Sequence, residues 1–245
     1  MPYIAGDQMQ FTGYSGSLSD VVFDVPASSK TINFEFAGFT CGDSVTFIYN
    51  GSPVTYGTVL SSGNCWLDRN LGATAVCTTS THAACYGDLY QWGRGADGHQ
   101  LRTSGTTTTL SNSDTPGHND FILAPNSPHD WRSPHNDNLW QGVNGTNNPC
   151  PNGWRIPTYA EWHAELLSWS SNDAWGAFMS SLKLPMTGYR NHGNGSLNHV
   201  GSVGYYWTSI VSTQIASHLF FTNSTAYISS SLYRALGVSV RCIKD

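Results

Sequence analysis

Between Asp173 and the terminal Asp245 the chain carries no Asp or Glu, and only Lys183, Arg190, Arg234, Arg241 and Lys244 bring charge to that span. Exposed helix faces are normally filled with Lys and Glu, so a segment this poor in charge predicts strands and loops. The whole chain follows the same pattern. Charged residues make up 11% of its 245, where a globular chain has about 25%. Ser, Thr, Asn and Gly, the residues of turns, are abundant. Apolar residues are 39%, enough to bury a sizeable core in one large domain or in a main domain with a small companion.

The net charge is −5 with no basic stripe, which excludes nucleic acid as a partner. No apolar run approaches the ~20 residues of a membrane span, so membrane insertion is not expected. The opening Met-Pro-Tyr-Ile-Ala-Gly-Asp has no basic end followed by an apolar core, and it does not read as a secretory signal. Such a chain either lost its signal or leaves its cell by another route, as a virion component does by lysis.

About half of the residues from Met186 to Val240 are Ser, Gly, Tyr, Asn or His. Binding loops use this mix, which joins rigid aromatic area to small, adaptable hydrogen-bonding groups. Catalytic sites show acids, bases or metal ligands at useful spacing, and none stands out. The expectation is recognition, not enzymatic chemistry. In a strand through His218–Thr222, Leu219 and Phe221 would face the core, and His218, Phe220 and Thr222 the other side. Thr225, Tyr227, Ser229 and Ser231 alternate likewise. The competing reading is an ordinary strand with a partly apolar outer face.

Along the chain, Val21–Val25 and Thr31–Phe36 read as strands of a β-rich N-terminal segment, residues 1–38. It is either a small module or an extension of the main domain, residues 39–245. Ser44–Tyr49 and Val54–Val59 flank Asn50-Gly51, a strong hairpin signal. Tyr86–Trp92 has the composition of two helical turns. Gly93-Arg94-Gly95-Ala96-Asp97-Gly98 formally matches the dinucleotide fingerprint, but no strand precedes it and no helix follows, so a tight loop is expected. Residues 99–150 read as loop anchored by Phe121, Trp131 and Trp140. The His118, His129, His135, Asp114, Asp120, Asp130 and Asp137 of this stretch lack EF-hand spacing, and no metal site is assigned. Structural calcium is the one ion such oxygen-rich loops could take, and no other cofactor is expected. Thr158-x-x-Glu161 is a capping box opening a helix to about Ser168, with Trp162, Leu166 and Trp169 on one face and Leu167 beside them. A weaker helix over Asp173–Leu182 would turn Trp175, Phe178, Met179 and Leu182 inward. Strands are expected at 205–209, 217–222 and 237–243, with Arg241 meeting a buried acid. The six cysteines form no C-x-x-C motif. The preferred pairing is Cys77–Cys85, Cys150–Cys242 and Cys41–Cys65, and the alternative is reduced, buried thiols.

Four motifs in order resemble one family. They are Cys65-Trp66-Leu67-Asp68-Arg69-Asn70-Leu71-Gly72, the run Tyr86–Arg94, the run Asn148–Thr158, and Val238-Ser239-Val240-Arg241-Cys242-Ile243-Lys244-Asp245. Together they resemble the Fibrobacter succinogenes major paralogous domain. The resemblance implies an α+β, C-type lectin-like fold of the formylglycine-generating-enzyme type, with few helices, short antiparallel strands and long loops. It covers about Cys41 to Asp245.

Similar proteins serve as variable proteins of diversity-generating retroelements, in which a C-terminal coding segment is rewritten at adenines. The resemblance therefore implies a protein on a virion or cell surface that binds a protein or cell-surface ligand. It would act as a monomer or be carried on a larger assembly. The varied residues, within about 186–240, would form one face. An Asn codon of the AAC type, altered at its adenines, gives residues such as Tyr, His, Thr, Ile, Phe, Leu, Val and Asn, but not Glu, Lys, Gln, Met or Trp. Tyr189, Asn191, His192, His199, Val203, Ile215, His218, Phe220, Thr222, Tyr227, Leu232, Tyr233 and Leu236 fit that set. The Glu-Pro-Asn and Trp-Asn-Asp strings of calcium-dependent sugar binding are missing, as are matches to the redox cysteines of the fold's oxidases. An invariant surface domain of the same fold is the alternative, and an oxidase the third reading.

Overall fold

Asn50 and Gly51 both take left-handed backbone, φ 48° and 77°, as a two-residue turn between twisted antiparallel strands requires. They join β1 (Val45–Tyr49) to β2 (Ser52–Tyr56), with Tyr49 opposite Ser52. The computed structural model describes residues 38–212 and 214–245. The expected strands Val21–Val25 and Thr31–Phe36 lie outside the described residues. The chain divides into two units, Met1–Phe39 and Thr40–Asp245, and every element named here belongs to the second.

Gly57 interrupts the strand expected from Val54 to Val59. Its N–H donates to Asp68 Oδ2 at 3.1 Å, and a Cβ there would sit 2.6 Å from that oxygen. A second hairpin follows, β3 (Thr58–Ser61) and β4 (Asn64–Leu67), turned by Ser62-Gly63. Short pairings then punctuate the loops: β5 (Tyr90–Gln91), β6 (Thr106–Thr107), β7 (Phe121–Ile122) and β8 (Trp154–Arg155). Helices α1 (Tyr159–Leu167) and α2 (Ala174–Met179) come next. The C-terminal part holds β9 (Tyr189–Arg190), β10 (Leu197–Asn198), β11 (Gly204–Ser212), β12 (Ile215–Phe221), β13 (Ala226–Tyr233), β14 (Gly237–Val238) and β15 (Ile243–Lys244). Among the described residues the architecture is mainly β, with two α-helices and several small sheets, all antiparallel except the β6–β7 pair.

Helix α1 begins where the capping box places it. Glu161 N–H donates to Thr158 Oγ1 at 3.3 Å, and Thr158 N–H donates back to Glu161 Oε2 at 2.7 Å. Its buried stripe, Trp162 and Leu166 with Trp169 just beyond, packs on Tyr206, Leu219 and Phe221 of the β11–β12–β13 sheet. Leu167, expected beside that stripe, is exposed. A larger core gathers Tyr90, Trp92, Trp131, Trp140, Trp154 and Trp207. The indoles of Trp92, Trp131, Trp140, Trp162 and Trp207 each donate to a backbone carbonyl: Thr208, Trp92, Asn147, Trp207 and Tyr90. Phe121, Trp131 and Trp140 are all buried, so the long stretch 99–150 is held by ring burial and indole bonds in place of regular structure. Three disulfides fasten the frame, Cys41–Cys65, Cys77–Cys85 and Cys150–Cys242, the pairs preferred from the sequence.

Several local expectations are corrected. Tyr86–Trp92 is not helical. Gln91 donates to Ile122 O and Ala235 O through its side chain and to His99 Nε2 through its backbone, and these tertiary bonds hold the segment extended. Helix α2 is shorter than expected and lies the other way round. Ala174, Gly176 and Ala177 are buried, while Trp175 and Met179 face out and Phe178 is half-buried; Leu182, beyond the helix end, is buried as expected. A Cβ on Gly176 would meet Ser171 O at 1.9 Å, so the helix docks by its small residues and its bulky ones are left outside. Among the described residues Arg241 pairs with no acid. Its guanidinium donates to Asn70 Oδ1, Leu67 O and Leu182 O, each at 3.0 Å. Among the described residues no helix is long and apolar enough to cross a membrane.

Candidate functional site

The β11–β12–β13 sheet has two unlike faces. Tyr206, Leu219 and Ile228 stand in register across it and pack toward α1. One residue along each strand, Tyr205, Phe220 and Tyr227 stand in register on the opposite face. Directly opposed side chains are the closest neighbours a sheet offers. Here their rings touch, with centroids 5.0 Å apart for Tyr205–Phe220 and 4.7 Å for Phe220–Tyr227. Strand β9 extends the row, because Tyr189 meets Tyr205 at 5.4 Å and His199 meets Tyr189 at 5.7 Å. The result is an aromatic band across five chain segments. Tyr227 is 44% exposed, and Tyr189, Tyr205 and Phe220 are half-buried.

Beside the band lies a cavity of about 200 Å³. Tyr189, Tyr205, His192 and Tyr233 supply its rings, Leu232, Leu236 and Val238 its apolar surface, and Asn191 and Ser231 its hydrogen-bonding groups. A bulge in β13 creates this set. Ser217 is opposite Ser230 but Ala216 is opposite Leu232, so Ser231 is the extra residue and Leu232 is carried onto the cavity side. The alternation expected through Ser231 ends there. His192 and His129 both donate Nδ1–H to Ala124 O, at 3.1 and 3.0 Å. Their rings lie 4.7 Å apart, and both touch Tyr233, at 5.1 and 4.2 Å. Burial, together with the neighbouring His129, holds the His192 pKa below the ordinary histidine value.

No residue lining the cavity carries a formal charge at neutral pH. Arg190 and Arg234, neighbours in sequence of Tyr189 and Tyr233, both turn inward. Arg190 lies over the Phe121 ring at 4.4 Å and donates to Gly195 O and Leu101 O, while Arg234 faces Asp130 and Asp137. Asp114 is paired with Arg132. Among the described residues no group of three or more His, Cys, Asp or Glu could hold a metal ion.

The structure thus brings Tyr189, Asn191, His192, His199, Phe220, Tyr227, Leu232, Tyr233 and Leu236 into one band and cavity. Others are not displayed there. His218 is buried: its ring lies 5.7 Å from Tyr205, and its partner across the sheet is Trp207, a member of the main core. Val203 is buried beneath the loop closed by its N–H bond to His199 O. Leu236, though it lines the cavity, is largely buried. Ile215 is half-buried opposite Tyr233, and Thr222 is half-buried in the turn leading to β13. Sequence reasoning missed Tyr205, the centre of the band. Its alternation with buried Tyr206 could have found it. Nothing in the sequence ties His129 to this face.

Comparison with family models, curated proteins and solved structures yields no match.

Proposed function

We propose that this chain is a non-enzymatic ligand-binding protein that presents exchangeable side chains on a C-type lectin-like scaffold, as the variable protein of a diversity-generating retroelement does. The observation that carries the reading is the band from His199 through Tyr189, Tyr205 and Phe220 to Tyr227, with its adjoining cavity. It places side chains from separated parts of an acid-free segment on one surface. They are the residue types that make interface anchors: large rings rimmed by Ser, Asn and His. A cavity this small lies below the ~300 Å³ of a typical small-molecule pocket and suits one or two groups of a larger partner. Behind the face stands a frame of three disulfides and a tryptophan core, on which Tyr189, Tyr205 and Leu232 pack. Disulfides suit an oxidising, extracellular setting, in keeping with a virion or cell surface. With all six cysteines paired, thiol-based oxidase chemistry would first need a disulfide opened.

The test is genetic. The 3′ end of the gene should have a near-identical noncoding copy beside a reverse transcriptase, differing mainly at adenines. Variation among copies should fall on the band and cavity positions and spare Trp66, Trp162 and Arg241. A lone gene with no such repeat would leave the invariant surface domain as the better reading.

A further inference from the structure

The cavity beside the band has a definite chemistry. Its rings stand as two nearly perpendicular pairs. Tyr189 and Tyr205 meet at 82° and His192 and Tyr233 at 86°. Ring faces carry negative potential, and a concavity walled by several of them attracts a cation without any carboxylate. His192 belongs to that wall as a neutral imidazole, since its Nδ1–H is committed to Ala124 O and its surroundings oppose protonation. No Lys or Arg lines the cavity to repel a cation, and no Asp or Glu pairs with one. That combination discriminates among cations. A primary ammonium is compact and strongly hydrated and needs hydrogen-bond acceptors to leave water. Asn191 Oδ1 already receives the N–H groups of Gly193 and Asn194, and Ser231 Oγ already receives the Ser229 hydroxyl. A quaternary ammonium has no N–H to satisfy, and its methyl groups suit the apolar surface of Leu232, Leu236 and Val238.

We propose that this cavity is an aromatic cage for an organic cation of the quaternary ammonium class, carried by whatever the face binds. The inference rests on the reading of this face as a binding surface, and it adds the ligand chemistry of one subsite.

Choline is the probe, set against its uncharged tert-butyl isostere and against N-acetyl-lysine methylamide, each titrated into the full chain and followed by NMR. Choline should bind weakly but saturably, and roughly tenfold tighter than the isostere, the factor expected of a desolvated cation–π contact. Tyr189→Leu should remove that preference while leaving the thermal unfolding midpoint near the wild-type value. Equal or tighter binding of the isostere would make the cavity merely apolar and overturn the proposal. So would lysine binding as well as choline, or choline binding untouched by Tyr189→Leu and Tyr233→Leu, or no binding of any probe. None of these results bears on the gene-repeat test of the wider reading, so the two can fail separately.

Discussion

Tyr205 and Phe220 stand directly opposite each other on neighbouring antiparallel strands, ring centroids 5.0 Å apart, while the next pair along, Tyr206 and Leu219, is fully buried on the other face. One strand register therefore serves both a core and a display surface, and the two respond differently to truncation. Phe220→Ala should cost under about 1.5 kcal/mol of stability, since a half-exposed ring leaves no closed cavity. Leu219→Ala, one residue away, should cost ~2–5 kcal/mol. Urea unfolding of the two variants checks this. Comparable losses would mean that the band is core.

Arg241 offers a second test. It is fully buried and ties the chain end to Leu67, Asn70 and Leu182. Burial lowers its pKa to about 10, so it remains a cation at neutral pH. Arg241→Ala leaves two carbonyls and the Asn70 amide oxygen without that donor, and should cost ~3–5 kcal/mol or abolish folding. Arg241→Lys should recover only part, because one ammonium cannot reproduce the planar fork. Expression yield and denaturant midpoint report the outcome.

His218 makes stability depend on pH. Burial depresses its pKa from 6.5 to about 4, outweighing the backbone hydrogen bonds to Ala216 and Ser229 that favour the charged form. The unfolded chain therefore binds a proton that the folded chain refuses in that interval. Stability is complete above pH 6.5 and falls as the pH drops toward about 4, by up to ~3 kcal/mol for this group. His99, likewise buried and lowered to about 4, adds a loss of the same sign. His218→Phe should flatten part of the profile between these pH values. Unfolding followed from neutral to acid pH, wild type beside variant, decides it, and parallel curves would refute the assignment.

The disulfides should differ in weight. Cys150–Cys242 spans 92 residues and Cys77–Cys85 only 8. Chain-entropy arguments assign about 4.6 kcal/mol to the longer loop and about 2.5 kcal/mol to the shorter. Paired Ser substitutions should therefore lower the unfolding midpoint much further at 150 and 242 than at 77 and 85.

Elements with a local physical cause were readable from the chain alone. Asn50-Gly51 made its hairpin because both residues accept positive φ. Thr158 and Glu161 started α1 because the reciprocal bonds lie within one turn. Leu219 and Phe221 faced inward because strand periodicity is two. Where neighbours in space decided the matter, these rules failed. Helix α2 turned Trp175 outward because Gly176 lets it lie against Ser171, and Tyr86–Trp92 stayed extended because Gln91 bonds to residues far along the chain.

The same division runs through the candidate site. Composition singled out the acid-free segment and alternation put Phe220 and Tyr227 on one strand face, while Tyr189, His192, His199 and Tyr233 came from the family resemblance. Only the folded chain could bury His218 opposite Trp207, shift Leu232 across the sheet by one bulged residue, and bring His129 against Tyr233. Side-chain type and spacing act over a few residues. Burial and the walls of a cavity are set by contacts between distant segments, and no local pattern encodes those.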